Sequence, residues 1–316
     1  MRAVFLTLLI WFGVPGAACA ETPIAAQVRS IVFAPEGSLG TAHAKLELDH
    51  LVDPSINVPD VVSDIDRMAE TVRQMLATIP EAEAKKSIER LKALKAFIYR
   101  AGHWNDDKPF EYNLGDPYGK VFETRLLTHY LKTRRGNCVS MPLLFLALGE
   151  RLDLELTLST APLHFLVKYT DDQTQQTYNL EATSGAGFTR DSWYQKKAPM
   201  TDKAIANGVY LKPLSPLEVR AVLAGIVVEH LIETERYEDA IAVSDVILEA
   251  YPEHAYVWIK KATAYYHLLR TEFRERYPNE RDIPEEKLAR ATFLYQQNQL
   301  SFEHAEQLGW QAPELE

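Results

Sequence analysis

Apolar positions along the chain change period, and the changes mark out its elements. From Val61 to Leu76, the residues Val62, Ile65, Met68, Ala69, Val72 and Leu76 recur at three- and four-residue spacing, which returns from Ala84 to Tyr99. Both stretches predict amphipathic helices with one buried face. A third helix follows Cys138, where Leu143, Leu144, Ala147, Leu148 and Arg151 keep the period. Pro142 is tolerated only in a first turn, so this helix is expected to start within about four residues before it, close to Cys138. After Asp153, placed to end that helix in a left-handed conformation, the period falls to two. Leu154–Leu158, His164–Tyr169 and Thr177–Glu181 read as an antiparallel meander, with Asp171-Asp172-Gln173 as a polar turn. Beyond Pro213 the helical period resumes over Leu217–Glu233, Tyr237–Tyr251, Ala255–Tyr277 and Glu285–Leu308, opened by Ser215-Pro216. The expected class is α+β, with a helix-plus-antiparallel-sheet domain over 61–212 and an all-α helical domain over 213–316. Residues 21–60 carry Pro35, Gly37, Gly40, Pro54 and Pro59 around a weakly apolar Val28–Phe33. They read as an extended N-terminal arm with a strand or short helix.

Residues 1–20 differ in character from the rest of the chain. Arg2 precedes the apolar run Ala3–Val14, Pro15-Gly16 breaks it, and Ala18-Cys19-Ala20 closes it. This predicts a secretory signal peptide cleaved after Ala20 and a periplasmic or secreted protein. The alternative, a lipoprotein anchored at Cys19, is disfavoured by Gly16 three positions earlier, where a large aliphatic is expected. No later stretch approaches the roughly 20 apolar residues of a membrane-spanning helix, so no membrane span is expected. Lys and Arg number 34 against 44 Asp and Glu, a net charge of −10. That balance argues against nucleic acid or anionic lipid as a partner.

Cysteine usage narrows the chemistry. The chain has two cysteines, and the expected cleavage removes Cys19, leaving Cys138 with no internal disulfide partner. A buried cysteine can act simply as a small hydrophobe. Cys138 instead stands at a helix N-terminus, whose free N–H groups favour the thiolate. Gly136 permits a sharp turn into that helix, and Arg134 and Arg135 either add positive potential there or are solvated surface charges. Nine histidines occur, but only His164 joins a downstream strand to a partner strand bearing a carboxylate, Glu181. Imidazole as base, oriented by a carboxylate, is triad logic in its cysteine form. Asn179, two residues from Glu181 on the same strand face, is the alternative orienter. No His-Glu-x-x-His, paired Cys-x-x-Cys, phosphate-binding loop or Gly-x-Ser-x-Gly occurs, so neither a metal nor a cofactor is expected.

Asn113-Leu-Gly-Asp-Pro117, a helix through Phe122 and Leu127, Arg134-Arg-Gly-Asn-Cys-Val-Ser140, Pro162-Leu-His-Phe-Leu166 and Glu181-Ala-Thr183 together resemble the transglutaminase-like superfamily, a papain-like Cys-His-Asp fold. The resemblance covers about residues 60–195 and is nearest a bacterial branch that carries tetratricopeptide repeats behind the core. Glu181 stands where the superfamily usually has Asp. The resemblance implies acyl transfer: the Cys138 thiolate attacks an amide or ester carbonyl, His164 protonates the leaving group, and the thioester passes to water or an amine. It also implies an oxyanion site at the Cys138 N–H, for which Asn137 is a candidate second donor, or simply the helix cap. Glu235–Pro252 and Ala255–Tyr266, with Tyr237, Ala240, Pro252, Trp258 and Ala262 at matching places, resemble tetratricopeptide repeats. The substrate expected is a protein or peptide amide, a cell-wall peptide included, with the C-terminal helices as support or as a protein-binding surface. The competing class is a non-catalytic scaffold that binds peptide through the same fold.

Overall fold

The computed structural model describes residues 21–312; the expected signal peptide and Cys19 lie outside them. Helices α1 (Pro23–Val32) and α2 (Thr41–Val52) open the chain where an extended arm is expected. The difference is one of punctuation. Pro23 sits at N1 behind the Thr22 cap, Gly40 is the residue preceding α2, and Pro54 follows the α2 C-cap, so these residues bound helices. Ala25, Val28, Ala44, Leu46 and Leu48 are buried within the main core.

Helices α3 (Val58–Leu76), the single turn α4 (Glu81–Ala84) and α5 (Ser87–Tyr99) follow. A short parallel pair, β1 (Glu111–Tyr112) with β2 (Arg135–Gly136), encloses α6 (Leu127–Thr133). Helix α7 (Ser140–Arg151) is buried along nearly its whole length, and Asp153 just beyond it takes the expected left-handed conformation at φ 52°. The sheet behind α7 has four antiparallel strands in sequential order: β3 (Leu156–Ala161), β4 (His164–Thr170), β5 (Thr177–Glu181) and β6 (Gly187–Thr189). Short helices α8 (Asp191–Lys197) and α9 (Asp202–Ala206) lead to α10 (Pro216–Glu233), α11 (Tyr237–Ala250), α12 (Ala255–Leu269) and α13 (Glu285–Gln307), each packed on the next. Helix α12 ends earlier than the sequence predicts, in a π-helical turn over Arg270–Arg274.

One apolar core runs through both halves, joining Phe145 and Leu144 of α7 to Leu46 of α2 and Val227 and Val228 of α10. Arg220 of α10 ties them further: its buried guanidinium donates to the Val32 carbonyl at 2.8 Å and the Ala34 carbonyl at 3.0 Å, satisfying acceptors at the end of α1. No helix among the described residues is long and apolar enough to cross a membrane.

Candidate active site

The turn that carries Cys138 is built by its neighbours. Helix α6 ends on Arg134 in a left-handed conformation, and β2 brings the chain to Gly136, opposite Tyr112. A Cβ on Gly136 would lie 2.6 Å from the Tyr130 ring and 2.7 Å from Met141, so only glycine fits. Asn137 then caps α7: its Oδ1 accepts from Val139 N at 3.0 Å and Ser140 N at 3.1 Å, while Ser140 Oγ accepts from Asn137 N. Its Nδ2 donates to the carbonyl and hydroxyl of Thr124. With both ends of its amide engaged, Asn137 serves as cap and anchor rather than as an oxyanion donor. The first residue of α7 is Ser140, two positions after the thiol.

Cys138 is 2% exposed. Its Sγ donates to the Leu163 carbonyl at 3.4 Å, and its own carbonyl accepts from Phe165 N at 3.4 Å, fastening the turn to the start of β4. Pro162 and Leu163 make the two-residue β3–β4 turn, with Ala161 paired to His164. Leu163 takes a positive φ of 53°, a conformation that costs a side-chain-bearing residue about 1–2 kcal/mol.

His164 sits between Leu163 and Phe165, the two residues that bond the Cys138 turn, and its ring meets Glu181. Its Nε2 is 3.0 Å from Glu181 Oε2, which leaves Nδ1 as the ring nitrogen on the other side. Burial alone lowers the imidazole's pKa; hydrogen bonds to Cys138 and Glu181, with their charges, outweigh it and lift the pKa from 6.5 to about 9. The ring packs at a tilt on Tyr194, centroids 5.9 Å apart. Glu181 is buried at the end of β5. Its other oxygen accepts from Thr183 N at 3.0 Å and Thr183 Oγ1 at 2.5 Å. Burial raises the carboxyl, but the bonds to His164 and Thr183 prevail and hold it below the usual carboxylate range. Asn179 is engaged elsewhere, donating to Asp191 at 2.7 Å, so the partner of His164 in the structure is Glu181.

A strap, residues 116–124, meets the backbone N–H of Cys138. Asp116 accepts from Lys120 N, Val121 N and Thr124 Oγ1, folding residues 116–124 into a compact turn. Within it the Pro117 carbonyl accepts from Cys138 N at 3.3 Å and from Tyr112 Oη at 3.2 Å. The expected oxyanion donor is therefore occupied in this structure. Gly119, at φ 62°, faces Asn137 Nδ2 so closely that a Cβ would lie 2.9 Å from it. Tyr112 and Thr124 are functional candidates that residue patterning misses; Tyr112 immediately precedes the Asn113–Pro117 motif, which contains Asp116 and is the one signal that points there.

Among the described residues, no group of three or more His, Cys, Asp or Glu is arranged to hold a metal ion. Residues 59–223 match the model of the transglutaminase-like superfamily, more than half of the chain, and the protein belongs to that superfamily. Its members are typically cysteine hydrolases or acyltransferases. No curated protein and no solved structure matches the chain.

Proposed function

We propose that the protein is an exported cysteine enzyme that cleaves or transfers an acyl group of a protein or peptide, cell-wall peptide included, through a thioester on Cys138. The observation that carries this reading is His164, with Glu181 Oε2 3.0 Å from Nε2 and the Cys138 turn fastened to its two chain neighbours, the thiol on the Leu163 carbonyl and the Cys138 carbonyl on Phe165 N. The imidazole takes the thiol proton, and the thiolate sulfur bonds to the carbonyl carbon. As the amine leaves, the imidazolium returns a proton to it. Water or a second amine then attacks the thioester and regenerates the thiol. Glu181 fixes the ring and favours its charged form, the part played by the third member of a triad. Export rests on the leader-like residues 2–20. The C-terminal helices, read as tetratricopeptide-like, support the core through α10 and offer the surface for a macromolecular partner.

A second reading, a peptide-binding scaffold without catalysis, draws support from the closed thiol: Cys138 is 2% exposed and its N–H is taken by Pro117. Acylation separates the two. With p-nitrophenyl acetate, an enzyme gains one acetyl group on Cys138, detected by peptide mass. The adduct disappears in Cys138→Ala and forms at least a hundredfold more slowly in His164→Ala. A wild-type chain that is never acylated while His164→Ala melts at the same temperature defeats the catalytic reading.

A further inference from the structure

The carbonyl of Pro117 has an unusual pair of donors. Cys138 N lies 3.3 Å from its oxygen and Tyr112 Oη 3.2 Å from the same atom, so a backbone N–H beside the nucleophile and a phenol converge on one carbonyl oxygen. A site for acyl transfer needs such a convergence where charge develops on the reacting oxygen. We propose that Tyr112 is the second oxyanion donor of this enzyme and that the Pro117 carbonyl fills the oxyanion hole at rest, a plug that substrate displaces. The inference rests on the acyl-transfer reading above.

Tyr112 is positioned for the part by the backbone. β1 pairs in parallel with β2, Tyr112 opposite Gly136, two residues before Cys138. The glycine's tight fit against Tyr130 and Met141 fixes the distance between the strand and the nucleophile's turn. The phenol also keeps its proton: burial, followed by charge on Cys138, pushes its pKa up to about 12, so it donates throughout the working range. In the step itself the thiolate electron pair forms the S–C bond and the carbonyl π pair moves onto oxygen. The resulting oxyanion accepts hydrogen bonds from Cys138 N–H and Tyr112 O–H, neither of which gives up its proton. When the carbonyl re-forms, the leaving group departs with the pair from the broken bond and takes a proton from His164.

The plug is held from its other side. Asp116 ties the strap into its turn, Arg125 Nε donates to the Gly119 carbonyl, and Arg125 pairs with Glu229 of α10. The carbonyl in the hole therefore belongs to an anchored segment, and its two hydrogen bonds are the ones a substrate carbonyl must replace.

The test compares two electrophiles on Cys138 in the full folded chain. p-Nitrophenyl acetate passes through an oxyanion; iodoacetamide alkylates by displacement and does not. In Tyr112→Phe, acetylation of Cys138 is expected to fall by about 10²–10³, with alkylation no slower than wild type, because the plug has lost one donor. Acetylation unchanged in Tyr112→Phe overturns the proposal, as does an equal slowing of both reactions, which would make the phenol merely structural. A wild-type chain that alkylates at Cys138 but never acetylates removes the acyl-transfer reading and this inference with it. One that acetylates equally with and without the phenol removes this inference alone.

Discussion

Replacing Glu181 by Gln keeps the shape of the side chain at the end of β5 and removes its charge. In the native protein Glu181 Oε2 accepts from His164 Nε2 at 3.0 Å, and the ring's pKa rises from 6.5 to about 9. At ~1.4 kcal/mol per tenfold, that lift favours the imidazolium by at most about 3 kcal/mol, an upper bound because about a fifth of the His164 side chain stays open to water. Burial opposes the lift and Cys138 contributes to it beside Glu181, so losing the carboxylate's hydrogen bond and charge should bring the pKa down. The direction of the lift sets its effect on stability. A folded-state pKa above the ordinary 6.5 stabilises the protein fully below pH 6.5, and that contribution is lost as pH rises through about 9. Wild type should therefore lose up to about 3 kcal/mol of this contribution between those limits, and Glu181→Gln should show a flatter profile across the same window. The His164 Cε1–H resonance, followed by NMR from pH 5 to 10, reports the ring directly, and urea unfolding at the two ends reports the linkage. A resonance that titrates near pH 9 in both proteins would refute the account of how Glu181 acts on His164.

Other contacts make equally definite predictions. Lys45 and Asp49 form a buried ion pair on α2, and Asp49 also accepts from Leu127 N at 3.0 Å. Lys45→Met leaves that carboxylate unpaired and should cost roughly 3–5 kcal/mol in urea unfolding, with Lys45→Met/Asp49→Leu recovering much of it. Asn137→Ala removes the cap of α7 and its bonds to Thr124. It should cost about 2 kcal/mol by the same measurement. Glu229→Gln weakens the pair that holds Arg125 against the strap, so iodoacetamide should label Cys138 several-fold faster. Asp245→Asn, which breaks a comparable pair with Lys261 away from the strap, should leave that rate unchanged. Truncation after Pro213 strips α10 from the face of α2 and removes Arg220 from the end of α1, so the fragment should lose cooperative thermal unfolding by circular dichroism.

The parts of the site that are legible in the sequence are those whose placement follows from periodicity. Cys138 is located by a proline and an apolar repeat that fix where α7 begins, to within two residues. His164 and Glu181 stand out as strand ends, and register explains why that suffices. Val167 pairs with Leu180 in the antiparallel β4–β5 ladder. Glu181 therefore lies across from Leu166, two residues from His164 and on the same face, within reach of a long side chain on the diagonal. Register likewise puts Asn179 on that face, but Asp191 at the start of α8 claims its amide, a contact that no strand pattern contains. The N-terminal helices escape a reading by pattern because glycine and proline mark ends of helices as well as extended chain. β6 escapes it because three residues, one of them Gly187, carry too little alternation to register as a strand.

What closes the site is not legible, and its physics differs in kind. The Pro117 carbonyl meets Cys138 N across 21 positions of chain through a turn held by Asp116, whose bonds run to two backbone amides and a threonine hydroxyl. Nothing in such a turn repeats, so no period announces it. Its consequence nevertheless connects with the simplest count in the sequence. Once the leader is removed, as we propose, the protein carries a single thiol into an oxidising compartment, where an exposed cysteine is open to oxidation and to intermolecular pairing. Cys138 is 2% exposed, and a strap occupies its oxyanion donors until a carbonyl able to make the same two hydrogen bonds displaces it. The same contacts that shut the site thereby select what opens it: a carbonyl, presented on a segment that can take the place of Pro117.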